Sequence, residues 1–252
     1  MTLTHVVTGA GSGIGRIVAG RLHARGDRLV LIARSEARAG QLREDFTGAA
    51  TIVADLADPA SLGAALAAAG AAAGEGVRLP EEIDTLIHAA GVVELGAVGD
   101  LPVTAWQAQL AVNLVAPAEL TRALLPRIRA ARGQVVFVNS GAGLTAHPAW
   151  AAYAASKHGL KALADALRGE EAPHGVRVTS VYPGRTATPM QVEVHAQEGA
   201  EYDPARFIDP ESVATAILTA IDLPRDAVIS DLTVRPGPRP PSARPSRPQP
   251  GE

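Results

Sequence analysis

Tyr153 and Lys157 stand four residues apart in the stretch Tyr153-Ala154-Ala155-Ser156-Lys157. Four positions are about one turn of an α-helix, so the phenol and the ammonium share a face. A cation beside a phenol favours the phenolate and draws a tyrosine pKa of about 10 toward neutrality. The oxygen then serves as a proton donor or acceptor. Ser140 follows the run Val135-Val136-Phe137-Val138, and a strand there would set its hydroxyl at the carboxyl edge of a sheet. A lone Y-x-x-x-K is common on helix surfaces, so its meaning depends on the elements around it.

The first of these elements is at the amino terminus. Leu3–Thr8 reads as a short buried strand, Gly9-Ala10-Gly11-Ser12-Gly13-Ile14-Gly15 follows at once, and an amphipathic helix runs from about Ile14 to Ala24. Strand, glycine loop and helix in that order form the context in which such a loop binds a dinucleotide. The glycines let the backbone approach a pyrophosphate whose charge sits at the helix N-terminus. The spacing is G-x-x-x-G-x-G, on Gly9, Gly13 and Gly15. Gly9, Ser12, Gly13, Ile14 and Gly15 are the cofactor contacts expected here.

Leu29–Ala33 is the second strand and ends in Arg34-Ser35. An NAD site usually carries an acid at this tip to hold the ribose 2′-hydroxyl. Here Ala33 and Arg34 occupy the place, and a guanidinium suits a 2′-phosphate. NADP(H) is therefore favoured over NAD(H), with a solvated arginine as the alternative. Thr51–Ala54 is a third strand, followed by Asp55-Leu56. Asp58 and Pro59 form an N-cap and first helical position. That leaves Asp55 free to accept from an adenine amino group, or else to serve the turn.

Ser61–Gly76 reads as an alanine-rich surface helix with a loose end, and Asp84–His88 as strand four, closed by Ala89-Ala90-Gly91. Leu101-Pro102 opens a helical region through Trp106, and a long helix from about Val112 to Ala130 has Asn113 at its start. The helix carrying Tyr153 continues to about Glu171, with Leu160, Leu163 and Leu167 as a stripe for core or subunit contact. Val176–Val181 is strand six, leading into Tyr182-Pro183-Gly184. Arg185–Asp209 reads as a polar, irregular lid over a substrate. A helix from Pro210 to Ala220 and a strand from Ala227 to Val234 complete the domain. From Arg235 to Glu252 the chain is rich in proline, arginine and serine, and is expected to be a disordered tail.

The chain has 252 residues, 47% of them apolar, and a net charge of −3. This fits one α/β domain with a substantial core and gives no electrostatic case for nucleic acid or an anionic membrane. There is no cysteine, which excludes disulfides and thiolate chemistry and fits a cytoplasmic setting. No secretory signal precedes the first strand, and the longest apolar-looking run is too short to span a bilayer. The seven histidines include no H-E-x-x-H pair, so no metal site is expected. Val138 stands where a G-x-S-x-G hydrolase elbow needs glycine.

Taken jointly, these motifs resemble the short-chain dehydrogenase/reductase family. The resemblance covers about Leu3 to Val234 and rests on Thr8-Gly9-x-x-x-Gly13-x-Gly15, Asp55, Ala89-Ala90-Gly91, Asn113, Ser140, Tyr153-x-x-x-Lys157 and Pro183-Gly184, with Thr188 beyond. It implies a doubly wound, Rossmann-type domain over 1–234, with a parallel seven-stranded sheet flanked by helices. It further implies an NAD(P)-dependent oxidoreductase acting on carbonyls or secondary alcohols. Tyr153 would be the general acid/base. Lys157 would lower its pKa and bind the nicotinamide ribose, Ser140 would polarise the carbonyl, and Asn113 would hold a relay water. Ser12, Arg34, Ser35, Asp55, Leu56, Ala89, Ala90, Gly91, Pro183, Gly184, Thr186 and Thr188 would complete the cofactor site. Val93, Glu94, Leu144, His147, Trp150, Met190 and Val192 are the expected lining of a mostly apolar substrate pocket. The two helices around Asn113 and Tyr153 resemble the pair through which family members form homodimers or homotetramers.

Two departures stand out. His88-Ala89 replaces a frequent Asn-Asn, which points to altered hydrogen bonding between strands. Ser12 stands where NADP-preferring relatives often carry a base. A cofactor-binding protein without turnover, or the same chemistry with NAD(H), are the alternative readings.

Overall fold

The computed structural model describes residues 2–71 and 79–238. Seven short strands, β1 (Thr4–Thr8), β2 (Arg28–Ala33), β3 (Ala50–Val53), β4 (Thr85–His88), β5 (Gln134–Val138), β6 (Arg177–Pro183) and β7 (Asp231–Val234), form one parallel sheet. Their order is β3-β2-β1-β4-β5-β6-β7. The order reverses between β1 and β4, which opens a crevice at their carboxyl ends.

Successive residues on a strand face opposite sides, and the apolar runs exploit this fully. Val6, Val30, Ile32, Leu86, Val135 and Phe137 pack on one side against helices α3 (Leu62–Ala71), α5 (Ala116–Ala131) and α6 (Ala151–Glu171). Val7, Leu29, Leu31, Ile87, Val136 and Val181 pack on the other against α1 (Gly13–Ala24), α2 (Glu36–Asp45) and α8 (Pro210–Ile221). The stripe on α6 is core: Leu160 and Leu167 are buried, and Leu163 packs against the same cluster. No helix among the described residues is long and apolar enough to cross a membrane.

The expected elements are present, with four corrections. The long helix does not begin at Val112. Helix α4 (Val103–Leu110) runs through a π-turn at Ala111–Val115 into α5, so Asn113 sits inside the turn rather than at a helix start. The stretch Arg185–Asp209 is not irregular. It holds α7 (Pro189–Glu198), and its two ends are joined by a parallel bridge between Thr186 and Ile208. His195, Tyr202 and Phe207 form an aromatic cluster inside it, which supplies the local apolar burial that the polar composition conceals. The last strand is shorter than expected. Fourth, Asp58 and Pro59 take the N-cap and first positions of a short turn as expected, but the Asp58 side chain makes no capping hydrogen bond. The end of the alanine-rich helix beyond Ala71, and the tail from Arg239, lie outside the described residues.

Candidate active site

The carboxyl ends of β1, β4, β5 and β6 bring the chemistry-bearing residues together. Ser140 leaves β5 in extended backbone, and its oxygen accepts the Ala142 amide at 3.1 Å. Asn139 holds this corner to α6. Its Oδ1 accepts the Ser140 amide at 2.8 Å and its Nδ2 donates to the Lys157 carbonyl at 3.1 Å. Tyr153 and Lys157 lie on the inward face of α6, both buried, and the Ser140 hydroxyl is near enough to act on the Tyr153 phenol. Lys157 Nζ donates to the Val138 carbonyl at 3.2 Å and lies 5.8 Å from the centre of the Tyr153 ring.

The expected electrostatics need correction here. Burial, not Lys157, dominates the phenol: it pushes the Tyr153 pKa up, opposed by the Ser140 hydrogen bond. Burial also pushes the Lys157 ammonium down to about 8. Desolvation penalises the charged form of each group, so near pH 7 the tyrosine rests as the neutral phenol.

Asn113 is a clamp. Its Oδ1 accepts the Val92 amide at 2.9 Å, while its Nδ2 donates to the Val92 carbonyl at 2.9 Å and to Ser156 Oγ at 3.0 Å. That side chain holds the loop after β4. Turns of π type recur at functional sites. This one turns Asn113 toward Gly91, where a Cβ would lie 3.2 Å from Asn113 Oδ1 and 3.7 Å from Lys157 Nζ.

The glycine loop has the shape a dinucleotide requires. Gly9 and Gly13 have positive φ (72° and 51°), and a Cβ on Gly15 would overlap the Gly9 carbonyl. Ser12 precedes α1 with no side-chain cap and is exposed, and Ile14 packs on the core. The amides of Ala89 and Ala90 both donate to Thr8 Oγ1, at 3.1 and 3.2 Å. Thr188 covers the loop from the opposite side, its methyl 3.3 Å from where a Gly13 Cβ would be. Thr186 donates to the Gly184 carbonyl at 2.9 Å, and Pro183 pairs with Val234 in β7.

Arg34 is exposed at the end of β2, and Ser35 caps α2 by accepting the Arg38 amide at 3.3 Å. Asp55 is not idle: it accepts the Ala57 amide at 2.9 Å, which is the turn role, with Leu56 half-buried beside it.

On the substrate side, Val93 and Trp150 pack with Tyr153, the two rings edge-on with centroids 5.8 Å apart. Met190 Cε lies 3.8 Å from where a Gly91 Cβ would be. Leu144 and Val192 are exposed apolar side chains. Glu94 and His147 are exposed as well, and their backbones bond to Gln109 and Trp150 respectively. Thus Val93, Trp150 and Met190 gather at the tyrosine and glycine corner, whereas Glu94, Leu144, His147 and Val192 face solvent.

The sequence reading missed several residues. Arg38 Nη2 donates to the Gly11 carbonyl at 2.6 Å and fills the space of a Gly11 side chain; its place one helical turn after Arg34 was a usable signal. Gln197 on α7 accepts the Leu95 amide at 2.7 Å, and Arg185 is ion-paired with Glu198 and lies 5.6 Å above the Trp150 ring. His88 is buried, stacked on Phe137 and bonded to Thr121 at 2.9 Å. Burial and the nearby Lys157 hold its pKa down at about 3. Among the described residues, no group of three or more His, Cys, Asp or Glu side chains is arranged to hold a metal ion.

Known proteins resemble this chain in sequence and in fold. The sequence profile of the short chain dehydrogenases matches residues 4–199. Dehydrogenase/reductase SDR family member 7B of Bos taurus is 34% identical over 243 residues, covering 90% of this chain and 73% of the relative. An uncharacterized short-chain type dehydrogenase/reductase of Sinorhizobium fredii is 31% identical, covering 92% of this chain and 90% of its own. The crystal structure of a metagenomic short-chain oxidoreductase in complex with NADP superposes with a TM-score of 0.75 at 30% identity, covering 94% of this chain and 98% of that one. With a seven-stranded doubly wound sheet, a glycine loop at its crevice and a Ser-Tyr-Lys group beside it, this chain belongs to the short-chain dehydrogenase/reductase family of oxidoreductases.

Proposed function

We propose that this oxidoreductase reduces a carbonyl compound with NADPH, or oxidises the corresponding secondary alcohol with NADP, using Tyr153 as general acid/base. The observation that carries this reading is the meeting of Ser140, Tyr153 and Lys157 at the sheet edge beside the glycine loop. A bound nicotinamide dinucleotide supplies the hydride. The chain's own residues supply position and the proton. Ser140, whose oxygen already accepts the Ala142 amide, turns its hydroxyl hydrogen from the phenol to the substrate oxygen. Tyr153, neutral at rest, donates its proton to that same oxygen. Lys157 holds the nicotinamide ribose and the positive potential that stabilises the phenolate left behind. Microscopic reversal, with the phenolate as base, serves the alcohol.

NADP rather than NAD is inferred from Arg34, an exposed guanidinium at the tip of β2 where an acid would bind a free ribose. The NADP complex of the 30%-identical metagenomic relative supports this reading. Asp55 and Leu56 would border the adenine, and Thr186 and Thr188 would meet the carboxamide and phosphates. We further propose a homo-oligomer built on α5 and α6, and a cytoplasmic location.

The test is a panel of ketones and aldehydes assayed with both cofactors. NADPH is expected to be used in preference to NADH, and Arg34→Ala should raise the KM for NADPH ~10- to 100-fold, the worth of a charge-assisted bond. Tyr153→Phe should lower turnover at least about 100-fold while NADPH affinity stays within a few-fold. Unchanged turnover in Tyr153→Phe would remove the phenol from the mechanism. Equal loss of both cofactors in Arg34→Ala would remove the 2′-phosphate role.

A further inference from the structure

Arg235 has no part in the site described so far. It follows β7, which runs parallel to β6, so the chain emerges on the same edge as Ser140 and Tyr153. Its backbone is held in place. The Gly184 amide donates to the Val234 carbonyl at 2.8 Å, and Pro236 Cδ lies 3.4 Å from where a Gly184 Cβ would be. From there the side chain crosses to the end of β5. Its Nη1 lies 2.5 Å from where a Cβ would stand on Gly141, the residue next to Ser140. The guanidinium thus occupies the space that a side chain at position 141 would take.

Two other strands also deliver an arginine past this edge, and each differs from Arg235. Arg185 is taken by Glu198 and by the Trp150 ring. Arg34 lies at the end of β2, on the far side of β1 and β4. Arg235 is exposed, and among the described residues no acid, carbonyl or ring engages it. A planar guanidinium presents two parallel N–H donors, the pattern that fits a carboxylate. Val93 and Trp150, which pack against the tyrosine, and Met190, which reaches Gly91, are apolar.

We propose that Arg235 recognises a carboxylate on the substrate, so that the carbonyl compounds handled here are oxo acids with an apolar body. This rests on the oxidoreductase reading above. The carbonyl sits at Ser140 and Tyr153, the apolar body lies against Val93 and Trp150, and the carboxylate reaches the guanidinium over Gly141.

The probes are benzoylformate and 3-benzoylpropionate, with the carboxylate at two distances from the ketone, and the methyl ester of each. Binding to the NADP-saturated full chain, which cannot reduce the ketones, is measured by calorimetry, and turnover in a separate assay by loss of NADPH absorbance. In the wild type at least one acid should bind ten-fold or more tightly than its ester, with the ratio shrinking as salt is added. Arg235→Ala should bring that ratio close to one and Arg235→Lys should keep part of it. Arg28→Ala, which removes an exposed arginine at the opposite edge of the sheet, should leave it intact. Acids and esters bound equally by the wild type, or a ratio that survives Arg235→Ala, would overturn the assignment. Turnover of the esters without any acid preference would sink only the Arg235 role. An acid preference lost in Arg235→Ala, with no turnover of any probe, would support the carboxylate site and count against the oxidoreductase reading.

Discussion

A lysine buried beside a buried tyrosine puts desolvation to work on both partners, in opposite directions. The phenol is pushed up and the ammonium down, so each is nearer its neutral form than it would be in water. For Tyr153 this suits a resting proton donor. For Lys157 it is a cost to folding. The unfolded chain holds the lysine proton up to about 10.5 and the folded chain only to about 8. Between those values the unfolded state binds more protons, so stability rises with pH across that window and the penalty is fully present below it. The drop corresponds to ~3 kcal/mol as an order of magnitude. Lys157→Met should therefore unfold at higher urea than the wild type at pH 7. The gap should close by pH 10.5, where both side chains are neutral, while activity is lost throughout. A variant less stable than the wild type at pH 7 would show that the bond to the Val138 carbonyl outweighs desolvation.

At the level of elements, the first β-loop-α unit is built on close backbone approach. A Cβ at Gly15 would run into the Gly9 carbonyl, whereas one at Gly20, farther along the same helix, would meet only Phe46 Cε1 at 4.0 Å. Gly15→Ala should thus open the loop and lower NADPH affinity about ten-fold or more, a strain of 1–3 kcal/mol. Gly20→Ala should leave affinity unchanged and raise stability by up to ~1 kcal/mol through helix propensity. Fluorescence titration with NADPH and urea unfolding separate the two. The segment Arg185–Asp209 follows a different logic. Its ends are pinned by the Thr186–Ile208 bridge, α7 reaches the loop after β4 through Gln197, and the His195, Tyr202 and Phe207 rings fill its interior.

For the molecule as a whole, two layers of helices on a parallel sheet bury groups that a half-exposed sheet would leave in water. His88 is the clearest instance. It lies between Phe137, Thr121 and the cation of Lys157, and is held neutral down to about 3. The unfolded histidine takes its proton near 6.5, so between 6.5 and 3 the unfolded state holds the extra proton and stability falls as pH drops. His5, buried beside Asp27, has its pKa lowered as well, its burial outweighing that neighbour, and acts in the same direction. Urea unfolding at a series of pH values should give a shallower acid limb for His88→Asn than for the wild type, by close to one proton. Parallel limbs would mean that the histidine opens to water before the rest of the chain unfolds.

Much of this was legible in the residues themselves. Strands that alternate cleanly between two apolar faces, a glycine loop directly after the first strand, and phenol and ammonium one helical turn apart are local patterns. Local geometry sets their period and spacing, so they can be read without knowing the fold. Burial and long-range partners cannot be read in that way. Asp55, rather than Asp58, supplies the side-chain bond at its turn because backbone geometry chooses between two nearby acids. Asn113 became a clamp because a π-turn aims it at Val92, and the segment after Gly184 gains a small core because His195, Tyr202 and Phe207 meet. The sequence by itself determined which groups exist and which strand or helix carries them. Only the tertiary structure decided that the phenol rests protonated and that the arginine after the last strand lies against Gly141 beyond the fifth, because desolvation and contact between distant segments arise only when the layers close.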